Sequence, residues 1–115
     1  MSKRSKACDI TPKVRSQVNA RDMGTCIFCR AGYMMPPEDE FGTSRGMLQV
    51  MHYIPRSQGG LGIPENLAVG CVWHHNMMDN GNLGLREQML IFFEEYLKAH
   101  YKDWDRDRLV YIKWN

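Results

Sequence analysis

Two short pairs of metal-binding residues constrain this chain more than any other feature. Cys26 and Cys29 are separated by two residues, and so are Cys71 and His74. A two-residue spacer lets both side chains of a pair reach one ion, and three cysteines with one histidine complete a tetrahedral zinc site. A lone Cys-x-x-Cys is also typical of a redox pair, but a second pair at the same spacing favours metal. We therefore predict a structural Zn²⁺ on these four residues, closed to substrate.

The remaining cysteine of the chain, Cys8, lies outside both pairs. We interpret it as a free thiol, with replacement of His74 on the zinc ion as the alternative.

The length and charge of the chain favour one small domain with a basic front. Its 115 residues fit a single domain, 1–115, that a metal ion would help to stabilise. Residues 1–30 carry seven Lys or Arg against two Asp, whereas the remainder has eight against eleven acidic residues. A basic segment favours a polyanionic partner because phosphate contacts release counterions, although an ordinary solvated terminus has the same composition.

We accordingly assign residues 1–10 to a basic flexible arm. The candidate nucleic-acid-binding residues are Lys3, Arg4, Lys6 and Arg56. No apolar run approaches the roughly 18 residues of a membrane span, and no apolar segment follows the first basic residues as in a secretory signal. We expect a cytoplasmic protein without a membrane partner.

The order of patterns along the chain predicts an α+β fold. Thr11 is a good helix cap and Pro12 suits the first helical position, so we expect a helix from Thr11 to about Asp22. The remaining expected elements are a strand, a second strand, a short helix and a long helix, over residues 47–54, 66–70, 72–79 and 85–101. The tail, 104–115, is compatible with a turn plus either a short strand or a helix.

Two adjacent histidines predict a second site. Neighbouring residues on a helix point about 100° apart, so His74 and His75 do not serve the same ion. His75 shares a helix face with Asp79, four residues further on. We predict that His52, near the end of the first strand, meets His75 in a solvent-open pocket apart from the zinc site.

The residues around these two sites resemble the motif of the HNH nuclease family. The residues that carry the resemblance are Arg15, Val18 and Asp22, then Cys26-x-x-Cys29, His52-Tyr-Ile-Pro55-Arg-Ser-Gln-Gly59-Gly60, Glu65-Asn66-Leu67 and Cys71-x-x-His74-His75. The resemblance covers about residues 11–82 and implies a small ββα-metal finger, stapled here by the Cys3His zinc site. An N-terminal helix and a long C-terminal helix would flank this core, with residues 83–115 forming the C-terminal helix and tail.

The resemblance also implies an activity and a role for each residue. Members of this family cleave nucleic-acid phosphodiester bonds with one divalent ion. We expect this chain to hydrolyse DNA and to leave 5′-phosphate and 3′-hydroxyl ends. By position, His52 is the general base, Asn66 the middle residue of the motif and His75 the ligand of the catalytic metal, which we expect to be Mg²⁺, Mn²⁺ or another divalent ion. Asp79 is a candidate second ligand. Asn66 either braces the loop before it through its amide or contributes an oxygen to the metal.

One residue departs from the family pattern. Members often carry Asp or His immediately before the general base, as a second metal ligand, where this chain has Met51. A thioether is a poor ligand for a hard cation such as Mg²⁺. We therefore expect an active enzyme with demanding metal requirements.

Two other functions remain compatible with the same residues. A catalytically impaired, zinc-stapled module on this fold would bind nucleic acid or protein without cutting, and a zinc-stapled interaction protein would have no affinity for nucleic acid. For the nuclease we expect DNA as partner, with RNA left open, and either a monomer or a homodimer. Compact nucleases of this kind resemble those of phages and mobile elements.

Overall fold

The helices and the hairpin follow one another along the chain in an α+β arrangement. A computed structural model describes residues 2–37, 45–79 and 84–113. The elements are α1 (Lys3–Cys8), α2 (Pro12–Arg21), α3 (Ile27–Arg30), β1 (Leu48–His52), β2 (Leu67–Cys71), α4 (Val72–Asp79) and α5 (Arg86–His100). Their order and bounds agree with the predicted helices and strands to within one or two residues, except at α1 and α3.

Helix α2 begins at the predicted cap. The Thr11 hydroxyl accepts a hydrogen bond from the Val14 amide at 3.2 Å, and Pro12 occupies the first helical position. The helix leads directly into the turn that carries Cys26 and α3.

The two strands form an antiparallel hairpin that joins the two halves of the predicted motif. The register pairs Leu48 with Cys71 and His52 with Leu67. All five residues of β2 are buried because both faces of the strand are covered. Leu67 and Val69 pack with α2, whereas Ala68 and Cys71 belong to the larger core beneath α3, α4 and α5. The hairpin thus places His52 and Cys71 at opposite ends.

The first residues differ from the flexible arm predicted for 1–10. They contain the helix α1, whose start is capped by the Ser2 hydroxyl, which accepts from the Ser5 amide at 3.1 Å. The helix docks on the loop between the strands, where the Gly62 amide donates to the Ala7 carbonyl at 2.9 Å. A short helix without an apolar stripe is hard to predict from its own sequence, because its stability comes from tertiary contacts. Helix α1 depends on its contacts with that loop.

Helix α5 closes the larger core. It buries Met89, Phe93 and Leu97 at helical spacing, as its pattern predicts. In the part of the chain that the structure describes, neither this helix nor any other combines the length and apolarity of a membrane-crossing segment.

In its described residues, the tail has a turn but neither a strand nor an α-helix. A single 3₁₀ turn spans Arg106–Arg108, and Val110 then forms an isolated antiparallel bridge with Gly60. The predicted boundary between the motif core and the C-terminal helix, at residues 82 and 83, lies outside the described residues. So do the last two residues of the tail.

Candidate functional site

The four residues of the predicted zinc site come together. The ligand atoms of Cys26, Cys29, Cys71 and His74 all lie within 4.8 Å of one another. The Cys29 and Cys71 sulfurs are 3.7 Å apart, and the Nδ1 atom of His74 lies 3.3 to 3.6 Å from the three sulfurs. A tetrahedron with metal–sulfur bonds of about 2.3 Å has edges of about 3.8 Å. The group therefore has the composition and dimensions to hold one zinc ion, and Cys8 is outside it.

The surroundings of His74 select the nitrogen that faces the sulfurs. Its Nε2–H donates to the Tyr33 carbonyl at 2.5 Å, which leaves the lone pair on Nδ1 directed toward the cysteines. A carbonyl partner of this kind orients metal-binding histidines in many sites. The buried ring is also held between Phe28 and Tyr33, so that the ligand nitrogen is set before an ion binds.

The thiols show why a cation suits this group. Burial opposes ionisation of Cys26, but its contact with Nδ1 of His74, together with backbone donors, lowers its pKa to about 6. Burial and the negative charge of Cys26 raise the pKa of Cys29 to about 12. Without an ion, one thiolate thus disfavours the next, and a divalent cation removes this repulsion by binding all three as thiolates.

His52 is fixed by the N-terminal segment. Its Nε2 atom lies 3.0 Å from the main-chain carbonyl oxygen of Cys8. Because a carbonyl only accepts, Nε2 carries the proton and Nδ1 is the unprotonated nitrogen of the neutral ring. Burial lowers the pKa of His52; the hydrogen bond to Cys8 acts in the opposite direction, and the positive charges of Arg56 and His75 lower the pKa further. The ring is thus favoured in its neutral, proton-accepting form.

His75 has polar partners at both ring nitrogens. Nδ1 lies 2.6 Å from the Gln49 amide oxygen, and Nε2 lies 3.0 Å from Oδ2 of Asp79. With the proton on Nδ1, the Nε2 lone pair faces a carboxylate oxygen, and a cation between the two atoms would make this approach favourable. Asp79 is also 3.7 Å from the Arg86 guanidinium.

Both histidines line one open pocket, away from the Cys3His group. The pocket encloses about 280 Å³, and its lining residues are Val50, His52, Pro55, Arg56, Ser57, His75, Asp79 and Arg86. Two imidazoles, one carboxylate and two guanidinium groups therefore surround a space that solvent reaches. Such a set can accept a proton and attract an anion.

The pair His75 and Asp79 fits one edge of the coordination shell of a hard cation. Adjacent ligands of an octahedral ion with bonds of about 2.1 Å are about 3.0 Å apart, and Nε2 and Oδ2 have this separation. Within residues 2–37, 45–79 and 84–113, only the Cys3His group brings three or more candidate ligand atoms together. A second ion would thus take two ligands from these residues, and Mg²⁺ commonly fills the rest of its shell with water and phosphate oxygens.

Asn66 lies in the interior and braces the loop, which is one of the two roles that its sequence allowed. Its Oδ1 accepts from the Ile54 amide at 2.8 Å, while Nδ2 donates to the carbonyls of Ile54 and Leu61 at 3.1 and 2.9 Å. The residue is fully buried. It positions the chain that follows His52, and its amide oxygen is already occupied by the Ile54 amide.

The arginines of the predicted nucleic-acid surface are engaged within the protein. Arg4 donates to the carbonyls of Arg56 and Ser57 at 3.4 and 3.1 Å. Arg56 forms an ion pair with Asp9 at 2.5 Å. Lys3 and Lys6 are exposed on α1. The direct phosphate contact predicted for Arg4 and Arg56 therefore competes with contacts that these side chains already have.

Sequence reasoning missed several groups at the pocket. The Cys8 carbonyl left no sequence signal because every residue has a carbonyl. Gln49 and Arg86 are a polar strand residue and the first residue of a helix, which usually indicate only a solvated surface. Asp9 had no motif around it.

Comparison of the chain with protein-family models, with curated proteins and with solved structures gave no match. The resemblance to HNH nucleases thus stays a prediction from the motif residues.

Proposed function

We propose that this protein is a metal-dependent endonuclease of the HNH type that hydrolyses DNA phosphodiester bonds. The observation that carries the proposal is the pocket shared by His52 and His75, outside the Cys3His group. The motif order of the sequence adds to it, because the same two histidines are the base and the metal ligand that the resemblance implies.

His52 acts as the general base in this proposal. A phosphodiester resists attack because its anionic oxygens repel nucleophiles, so water must lose a proton as it attacks. Nδ1 of His52 accepts that proton, while the Cys8 carbonyl holds Nε2–H and stabilises the imidazolium that forms. The lowered pKa of His52 keeps the ring neutral at physiological pH.

His75 and Asp79 would hold the catalytic divalent ion. Such an ion supplies positive charge for the phosphate and for the departing 3′ oxygen. Gln49 fixes the ring of His75 through Nδ1, so that Nε2 is the nitrogen available for the ion. Arg86 lines the same pocket and adds positive charge beside the scissile phosphate.

A cleavage assay with a matched histidine control tests the proposal. Supercoiled plasmid and single-stranded RNA are incubated with the zinc-loaded protein and Mg²⁺, Mn²⁺ or Ni²⁺. We expect nicking of the plasmid, reduced at least about 10²-fold by His52→Ala. His100→Ala is the control, since His100 is an exposed histidine on α5. Cleavage that survives His52→Ala, or that falls equally with His100→Ala, would contradict the proposal.

A second candidate function is a binding module on the same fold that has lost catalysis. It is favoured by the small number of ligands for a second ion among the described residues and by the burial of Met51, the residue before the proposed base. Mobility shifts on DNA at several salt concentrations distinguish the two. Salt-sensitive binding without nicking under any of the three metals favours the module.

A further inference from the structure

The carbonyl that orients His52 is itself held by a second side chain. Arg56 donates to the Cys8 carbonyl at 3.2 Å, and the same oxygen accepts from His52 Nε2 at 3.0 Å. The same Nη1 atom of Arg56 lies 2.5 Å from Oδ1 of Asp9, the next residue. The direction of the Cys8 carbonyl thus depends on an ion pair one residue away.

The end of α1 lies against Gly62, in the loop that follows His52. A Cβ atom added to Gly62 would overlap the carbonyl group of Asp9, which is backbone and not a flexible side chain. The Gly62 amide donates to the Ala7 carbonyl, and the Arg4 side chain donates to two carbonyls earlier in the same loop. Only a residue without a side chain allows α1 to approach this closely.

We propose that Asp9, Arg56 and Gly62 form a latch that docks α1 and thereby positions His52 for catalysis. The inference rests on the nuclease function proposed above. In it, Arg56 is a positioning residue that acts through the Cys8 carbonyl, and the N-terminal segment is part of the active site instead of an arm that grips DNA. When the latch opens, Nε2 of His52 loses its acceptor and the ring loses its preference for the reactive tautomer.

The latch is suited to opening. Asp9 and Arg56 are 40% and 48% exposed, so solvent weakens their attraction. Helix α1 has six residues and buries only Cys8. Segments with few buried contacts open at low cost relative to the whole fold. Docking of α1 can therefore control the activity without unfolding the domain.

Two substitutions open the latch without removing any group of α1 that contacts His52. Gly62→Ala pushes the Asp9 backbone away, and we expect kcat to fall by about 10²-fold with little change in KM, as for a misplaced catalytic group. Asp9→Asn weakens the hold on Arg56, and we expect kcat to fall by about two- to fivefold. Asp103→Asn, in the turn after α5, is the matched loss of a carboxylate and should leave both constants unchanged.

The state of the latch is also measured without substrate. Nitrogen-15 NMR of the zinc-loaded protein should show His52 with its proton on Nε2, and both latch variants should shift the ring toward a mixture of tautomers. Amide hydrogen exchange of α1 should rise in the same variants. These readouts decide about the latch even if the protein cuts no nucleic acid, so that failure of the latch and failure of the nuclease proposal are distinguishable.

The double variant gives the sharpest result. If both changes open the same latch, Gly62→Ala with Asp9→Asn is no slower than Gly62→Ala alone. Three results would overturn the proposal. The effects of the two substitutions could be additive, the His52 tautomer could be unchanged in both variants, or Asp9→Asn could cleave faster and bind DNA more tightly. The last result would mean that Asp9 competes with a substrate phosphate for Arg56.

Discussion

The side chain of Met51 packs against Gly70 of the neighbouring strand so closely that a Cβ atom on residue 70 would overlap the Met51 sulfur. Met51 is fully buried in the larger core. Because side chains alternate along a strand, its neighbours Val50 and His52 face the opposite side, where both line the pocket. Met51, the residue before the proposed base, therefore points away from the proposed metal.

The first prediction concerns a carboxylate introduced at residue 51 or at residue 50. Met51→Asp places a charge in the core and removes a buried side chain, so we expect the free energy of unfolding to fall by more than about 3 kcal/mol. No gain in Mg²⁺-dependent cleavage should accompany it. Urea unfolding followed by circular dichroism measures the loss.

Val50→Asp is the comparison, because Val50 is half-buried and lines the pocket. We expect a smaller loss of stability and an apparent affinity for Mg²⁺ raised by about tenfold, equivalent to about 1.4 kcal/mol. Val50→Asn controls for the change of shape. A more active Met51→Asp protein, or equal effects of Asp and Asn at residue 50, would show that this view of the strand is wrong.

The second prediction concerns the Cys3His group. Cys71→Ser removes one of the three sulfur ligands, and we expect loss of the bound zinc ion together with more than about 4 kcal/mol of stability, since ion binding contributes to folding. Zinc content by mass spectrometry and thermal unfolding measure these effects.

Cys8→Ser is the control for the same substitution. Cys8 is also a buried cysteine but lies outside the group. It should keep one zinc ion per chain and lose only about 1 kcal/mol. Loss of zinc from the Cys8 variant, or its retention by the Cys71 variant, would mean that Cys8 belongs to the ligand set.

Local patterns in the sequence were sufficient for most of the fold. The cap at Thr11 and the two metal-ligand pairs depend on residues close together in the chain, and they predicted α2 and the Cys3His group. Helix α1 was missed because its stability depends on a contact with Gly62, which is far away in the sequence.

Less of the candidate site than of the fold could be predicted from the sequence. The role of Cys8 depends on a main-chain oxygen, which no residue type reveals. The direction of Met51 came from the structure, where Met51 is buried against Gly70 while His52 lines the pocket, as strand alternation favours. The family pattern suggested a ligand position there, and the local geometry of the strand takes precedence over it.

The third prediction concerns a buried ion pair beneath the hairpin. The carboxylate of Asp22 accepts from Arg21 at 2.7 and 3.0 Å, from the Val69 amide at 2.8 Å and from the Tyr96 hydroxyl at 2.5 Å. Asp22→Asn leaves the guanidinium without its counter-charge in the interior, and we expect a loss of about 3 to 5 kcal/mol. Tyr96→Phe removes one hydrogen bond of the same group, and we expect about 1 kcal/mol. Equal losses in urea unfolding would argue that packing, and not the charge, determines the stability here.

The fourth prediction concerns the pH dependence of cleavage. Burial, and then the charges of Arg56 and His75, lower the pKa of His52 below 6.5. The base is active when neutral, so kcat/KM should hold down to pH values below 6.5 and fall only as the pH passes through the lowered pKa. The unfolded chain binds the His52 proton at a higher pH than the folded protein does. Stability should therefore decrease as the pH falls from 6.5 toward the folded-state pKa, and His52→Gln should reduce that slope. NMR titration of the His52 ring measures the pKa directly, and a value above 6.5 would contradict the assignment of a buried, neutral base.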